Sequence, residues 1–135
     1  MSDRNARVID EFRAGGGQMG GSFEGRPLLL LHHRGARTGI ERVTPLMYQE
    51  VEGGYAIFAS KGGADTNPDW YHNLRAHPET TIEVGTDEIQ VRARVLHGDE
   101  RTPIWERQKS DYSFFAEYEQ RTIRDEIPVI VLEPV

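Results

Sequence analysis

Apolar positions along this chain change their period early. Val8, Ile9 and Phe12 recur at helical spacing, which predicts a short amphipathic helix from a Ser2 cap through Arg13. The glycine-rich run at 15–21 ends it and reads as a flexible linker, so residues 1–26 are expected to be a helix and tether on a domain spanning 27–135. That helix is expected either to dock on the domain or to serve as a lid or weak membrane-surface contact. From Pro27 onward the pattern is mostly β. Strands are expected at 28–32, 41–50 and 55–60, with a turn at 35–39 and a Gly53-Gly54 hairpin. Pro45 lacks an amide to donate, which points to an edge strand or a bulge.

The pattern then alternates. Asn67 is expected to cap a helix whose first residue is Pro68, running through Leu74 and stopping before Pro78. Strands at 80–84 and 88–96 follow, joined by a turn at 85–87. Asp99 or Thr102 is expected to cap a helix carrying Ile104 and Trp105, and after a break near Ser110 a second helical piece carries Tyr112, Phe115 and Tyr118. A last strand covers 127–132. About six antiparallel strands with helices inserted between the third and fourth and before the last predict a mainly β barrel with flanking helices, and the lack of βαβ alternation argues against a Rossmann fold.

Charge narrows the ligand. A formal net charge of −6 argues against nucleic acid as a partner. The charge is uneven, however: Arg26, Arg34, Arg37 and Arg42 face only Glu41 over 26–48, so a local basic cradle in an acidic protein suits a small anion. The chain has no cysteine, which excludes disulfides, thiolate catalysis and cysteine-ligated metals and is compatible with a reducing cytoplasm. Apolar runs at 28–31 and 129–132 are too short to span a bilayer, and the charged N-terminus lacks a signal-peptide core; a cytoplasmic protein is expected.

Candidate chemistry lies in three places. The Arg34–Arg42 stretch flanks Arg37 with glycines, which let backbone amides approach an anion while guanidinium groups hold it. The Ala59-Ser60-Lys61-Gly62-Gly63-Ala64 run offers a hydroxyl, an ammonium and free amides just before a helix N-terminus, though not in P-loop spacing. Trp70, Tyr71, Tyr112, Phe115 and Tyr118 have the spacing of core packing or of the wall of a flat ring pocket. His32 and His33 alternate across their strand, so at most one faces a site, and no histidine spacing matches a metal motif.

In order, Gly35-Ala36-Arg37-Thr38-Gly39, Arg42-Val43-Thr44-Pro45-Leu46, Ala59-Ser60-Lys61-Gly62-Gly63-Ala64 and Asn67-Pro68-Asp69-Trp70-Tyr71-His72-Asn73-Leu74 resemble the deazaflavin-dependent nitroreductase family, and Glu100-Arg101, Tyr112 to Tyr118 and Arg124 to Pro128 are similar too. The resemblance runs from about Leu28 to the end and implies a split β-barrel that binds the anionic deazaflavin coenzyme F420. It implies that Ala36, Arg37 and Thr38 with Lys61 hold the phosphate and acidic tail, while Arg42, Val43, Thr44, Pro45, Leu46 and Met47, Phe58, Ala59 and Ser60, and Asp69, Trp70, Tyr71, His72 and Asn73 line the ring and linker, with Phe115 a further cofactor contact. It further implies hydride transfer to a quinone or nitroaromatic acceptor, with Tyr112, Tyr118 and Ser60 orienting or protonating that acceptor. Members that reduce nitroimidazoles carry a tyrosine where this chain has Phe115, which puts reduction of bulky bicyclic nitro compounds in doubt. The alternatives are a split-barrel oxidase or flavin reductase using flavin mononucleotide, and a module that binds the cofactor without turnover.

Overall fold

A computed structural model describes residues 3–20 and 25–135. β1 (Leu28–Arg34) and β2 (Glu41–Met47) form a hairpin in which Leu28 lies opposite Met47 and Arg34 opposite Glu41. β3 (Gln49–Val51) and β4 (Gly54–Phe58) form another, turned at Gly53, whose φ of +84° favours glycine. β5 (Glu79–Val84), β6 (Asp87–Leu96) and β7 (Val129–Pro134) complete an antiparallel seven-stranded sheet in the order β2-β1-β5-β6-β7-β4-β3.

The two ends of that order, β2 and β3, are separated in the chain by Tyr48 alone. The sheet must therefore curl until its edges approach, which makes a split barrel. The expected strand at 41–50 breaks at Tyr48 because its N–H donates to the Pro27 carbonyl (3.1 Å). This break gives seven strands where the pattern predicts about six. Pro45 sits opposite Leu30 in β2, at an end of the sheet, where its missing N–H costs no ladder bond.

Strand alternation sorts the apolar side chains into three clusters. Leu29 and Leu31 of β1, with Ile57, Ile82, Val91, Ile130 and Leu132, fill the barrel together with Trp70, Tyr71 and Leu74 of α2 (Asp69–Ala76). The opposite face of β4 and β7, with Ala56, Phe58, Val129 and Val131, takes Trp105 of α3 (Gly98–Asp111) and Phe115 of α4 (Phe114–Arg121). Leu28 and Leu30, on the other side of β1, take Ile9 and Phe12 of α1 (Asp3–Ala14). Phe12 is 1% exposed, and burying a side chain of this size contributes roughly 1.5–3 kcal/mol. The apolar side of α1 is thus occupied by the barrel. Among the described residues no helix is long and apolar enough to cross a membrane.

Several local expectations need correction. The glycines after α1 are not a free tether: Gly15 and Gly17 donate to the Glu11 and Phe12 carbonyls (2.9 and 2.8 Å), and a Cβ on Gly17 would lie 2.7 Å from the Gly85 Cα. Ser2, the expected cap, and Gly21 lie outside the described residues. Asn67 does not cap α2, because its side-chain oxygen accepts a hydrogen bond from Arg124 Nη1 (2.7 Å); Pro68 takes the cap position. α3 starts earlier than either expected cap, behind His97, and Thr102 inside it donates to the Gly98 carbonyl (3.0 Å). The last strand begins at Val129, not 127, since the Ile127 carbonyl is held by Arg101 (2.7 Å).

Candidate functional site

The inward positions of β1 run Leu29, Leu31, His33. The first two fill the barrel, and the third reaches a cleft of about 840 Å³ where β1 turns into β2. Ala36, Arg37 and Thr38 from the turn, Arg42, Val43 and Thr44 from β2, and Asp69, Trp70, His72 and Asn73 from α2 come together here, all of them residues expected from the sequence. Asn5 of α1, Gly35 and His33 complete the wall. The volume falls in the range of roughly 300–1,000 Å³ common for small-molecule sites.

The cleft is basic and unsaturated. The Arg37 and Arg42 guanidinium groups make no hydrogen bond or ion pair among the described residues, and neither do the Arg37 and Thr38 amides. Outside the cleft several arginines are engaged, Arg13 with Glu83, Arg92 with Glu79, and Arg94 with Glu100 and Glu133, while the exposed Arg7 and Arg34 make no ion pair among the described residues and line no part of this cavity. The Ala36 amide, expected to face the ligand, instead donates to Asn73 Oδ1 (2.9 Å). Gly39, at φ +70°, lets the turn close with its N–H on the Gly35 carbonyl (2.9 Å). Free guanidinium groups and amides around one cavity are a site for an anion.

The adjacent histidines of β1 have opposite electrostatics. His33 is 5% exposed, with Nδ1 3.0 Å from Asn73 Nδ2 and Nε2 2.8 Å from Thr44 Oγ1. Burial, helped by the nearby Arg42 charge, lowers its pKa to about 4, so it is neutral at physiological pH. His32 is held between two carboxylates, Glu41 at Nδ1 (3.0 Å) and Glu83 at Nε2 (2.7 Å). Burial works against its charge, but the two carboxylate bonds outweigh that and raise its pKa. Glu83 also pairs with Arg13 of α1 through two contacts (3.1 and 2.8 Å).

The other expected residues lie elsewhere. Leu46 packs with the barrel core; Met47 packs beside the α1 cluster, and Pro45 precedes both on β2. Ala59 and Tyr71 are in the barrel core, while Phe58 faces outward. Phe115 is 4% exposed and touches Phe58, Trp105, Phe114 and Tyr118, so it lies in the aromatic cluster and not in the cleft wall. Tyr112 and Tyr118 are half-buried at the border of that cluster. Ser60 and Lys61 belong to a loop ending in a 3-10 turn, Lys61–Gly63. Lys61 has φ +47°, the only non-glycine residue with positive φ among those described, and its ammonium bonds Thr66 Oγ1 (3.3 Å).

That loop is braced from α4 and the segment after it. Arg124 donates to the Ala59 and Ser60 carbonyls (2.9 and 2.8 Å), and Arg121 donates to the Gly62 carbonyl (3.0 Å). Thr122 Oγ1 donates to Ala64 O (2.7 Å), and a Cβ on Gly63 would meet the Tyr118 Cα and carbonyl at 3.0 Å. Sequence reasoning did not assign Arg124 this bracing role, nor His33 its place in the cleft.

Comparison with known proteins converges on one group. The F420H(2)-dependent quinone reductase profile matches residues 5–134. An F420H(2)-dependent quinone reductase of Mycobacterium tuberculosis is 38% identical over 125 residues, covering 90% of this chain and 83% of the relative. A solved F420-H2 dependent reductase is 39% identical, with a TM-score of 0.72 over 80% of this chain and 95% of that one. The haem storage protein HutZ of Vibrio cholerae, at 16% identity and a TM-score of 0.62 over 96% of this chain and 89% of that one, shares the fold alone. A match over nearly the whole length, on a split barrel whose basic cleft is built from the expected turn, strand and helix, places this oxidoreductase chain in the F420H(2)-dependent quinone reductase family.

Proposed function

We propose that this chain passes a hydride from reduced coenzyme F420 to a quinone, with the cleft beside Arg37 and Arg42 holding the anionic part of the coenzyme. The observation that carries this reading is the pair of unpartnered guanidinium groups beside the free Arg37 and Thr38 amides. An isolated exposed arginine says little; two that share a cavity with unused amides suit a phosphate-bearing ligand. Lys61 is a second contributor to anion binding. Its one bond is to a neutral hydroxyl, and a positive φ on a lysine is strain of the kind that persists at functional loops.

When bound, the reduced deazaflavin supplies the hydride. The chain's part is to bind, orient and provide a proton. A quinone that accepts a hydride also takes up a proton to become a hydroquinone, and the Ser60, Tyr112 and Tyr118 hydroxyls make no hydrogen bond among the described residues. These three are the groups proposed to face the acceptor. Nitroaromatic compounds are a second acceptor class, with Phe115 offering no hydroxyl to them.

The test is stopped-flow oxidation of reduced F420 by menadione and, separately, by a nitroarene. Acceptor-dependent oxidation by menadione is expected, with Arg37→Ala raising the F420 concentration needed for half-saturation. Reduced F420 that binds but stays reduced with both acceptors would make the chain a carrier.

A further inference from the structure

The hydrogen bonds around His33 have a direction, and the sequence of donors and acceptors determines it. The Ala36 backbone N–H can only donate, so the Asn73 oxygen must face it (2.9 Å). Asn73 then turns its NH₂ to His33 Nδ1 (3.0 Å), which makes Nδ1 an acceptor. A neutral imidazole with Nδ1 bare carries its proton on Nε2, and that proton is donated to Thr44 Oγ1 (2.8 Å). Each link leaves the next only one role.

Thr44 is the end of this chain and lines the cleft. Its oxygen already accepts from His33, so its own proton is left to donate. We infer that Thr44 presents its hydroxyl proton to the cleft, donating to a ligand oxygen there, and that His33 is the positioning residue that fixes its direction. The inference rests on the reading that the cleft holds an oxygen-rich anionic coenzyme.

Strand geometry makes the arrangement stiff. His33 lies opposite Arg42 and Thr44 opposite Leu31 in the β1–β2 ladder, so both side chains come from paired backbone on neighbouring strands. The third member, Asn73, is 7% exposed on α2. The relay therefore ties helix, strand and turn together around one wall of the cleft. The same bonds hold the Ala36 amide out of the ligand's reach, which leaves recognition at this wall to Thr44 and the Arg37 and Thr38 amides. The charged groups facing His33 are Arg42 and Asp69, with His32 beside it on the strand.

Two measurements test this, one without ligand. Long-range ¹H–¹⁵N correlation spectra of the free protein at pH 6 are expected to show His33 neutral and protonated on Nε2. An Nδ1-protonated ring or an imidazolium overturns the relay whatever the cleft binds. The second is fluorescence titration with oxidised coenzyme F420. Thr44→Val is expected to weaken binding roughly five- to tenfold, the worth of one hydrogen bond, while Thr44→Ser keeps near wild-type affinity. His33→Phe, which removes the relay and fills the space, is expected to weaken binding by less than Thr44→Val. Wild-type affinity in Thr44→Val, with wild-type protein binding F420 tightly, overturns the donor assignment and leaves the coenzyme reading standing. Failure of the wild-type protein to bind F420 overturns the coenzyme reading, and the spectra still decide the direction of the relay.

Discussion

Two basic, glycine-bearing turns in this molecule look alike in sequence and differ in physics. The turn at 35–39 holds Arg37 in an open cleft, with its guanidinium unpartnered and room around Gly39. The loop at 60–64 is held by hydrogen bonds from Arg121, Thr122 and Arg124, and Gly63 lies against Tyr118. Unpaired cations that share a cavity with free amides mark a place for a ligand, whereas carbonyls tied down by neighbouring side chains mark a loop of fixed shape. Composition shows neither state, because both depend on what the rest of the chain brings alongside.

The largest effects are expected in the braced loop. Gly63→Ala adds a Cβ at 3.0 Å from Tyr118 backbone atoms at φ +82°, and should cost roughly 2–4 kcal/mol in urea unfolding. Gly39→Ala, at φ +70° with nothing within 4 Å, should cost about 1–2 kcal/mol. Equal costs would erase the contrast between the loops. Arg124→Met, which leaves the Ala59 and Ser60 carbonyls and Asn67 without their donor, is expected to lose about 2–4 kcal/mol. Arg37→Ala should leave stability within about 0.5 kcal/mol and weaken F420 binding about tenfold, with a smaller salt dependence than wild type. Lost stability together with retained binding in Arg37→Ala would reverse the assignment of the two loops.

The β1 histidines sharpen the comparison through pH. His33 titrates near 4 when folded and near 6.5 when unfolded, so in that window the unfolded chain binds more protons. Stability should fall as pH drops from 6.5 towards 4, by up to about 3 kcal/mol, and His33→Phe should flatten that limb. His32 has a raised folded pKa, so its contribution is complete below 6.5 and disappears as pH rises through the folded value. Glu83, lowered chiefly by its bond to Arg13, contributes above its usual carboxylate range and loses that contribution in acid. Denaturant midpoints across pH 4–8 for His33→Phe and His32→Gln should therefore depart from wild type at opposite ends. The smallest effect belongs to Arg13→Ala, a half-exposed pair expected to cost under about 1 kcal/mol in the same unfolding assay.

Much of the barrel was legible because its signals are local. The run at 28–32, the proline at an edge position and the glycine hairpin at 53 each follow from neighbouring residues. The break at Tyr48 was not, since it depends on Pro27, and neither was the shift of the α2 cap, since Asn67 is claimed by Arg124 from 57 positions away. In the site, Arg37 and Arg42 stood out from glycine spacing and charge, and the start of α2 from the family resemblance. His33 was not, because its partners lie 40 and 11 positions away, and only the folded strand pairing and helix position bring them together. Phe115 stood out by analogy as a cofactor contact, but its burial among four aromatic rings is a property of helix packing that no short motif encodes.

The most direct test of the central claim is calorimetric titration of oxidised coenzyme F420 into wild-type protein and the Arg37→Ala and Arg42→Ala variants at two salt concentrations. Tight wild-type binding, weakened by each substitution and by salt, is the result expected if the unpaired arginines of the cleft hold the coenzyme. Binding of equal strength in all three proteins would place the coenzyme's charge elsewhere and contradict the account.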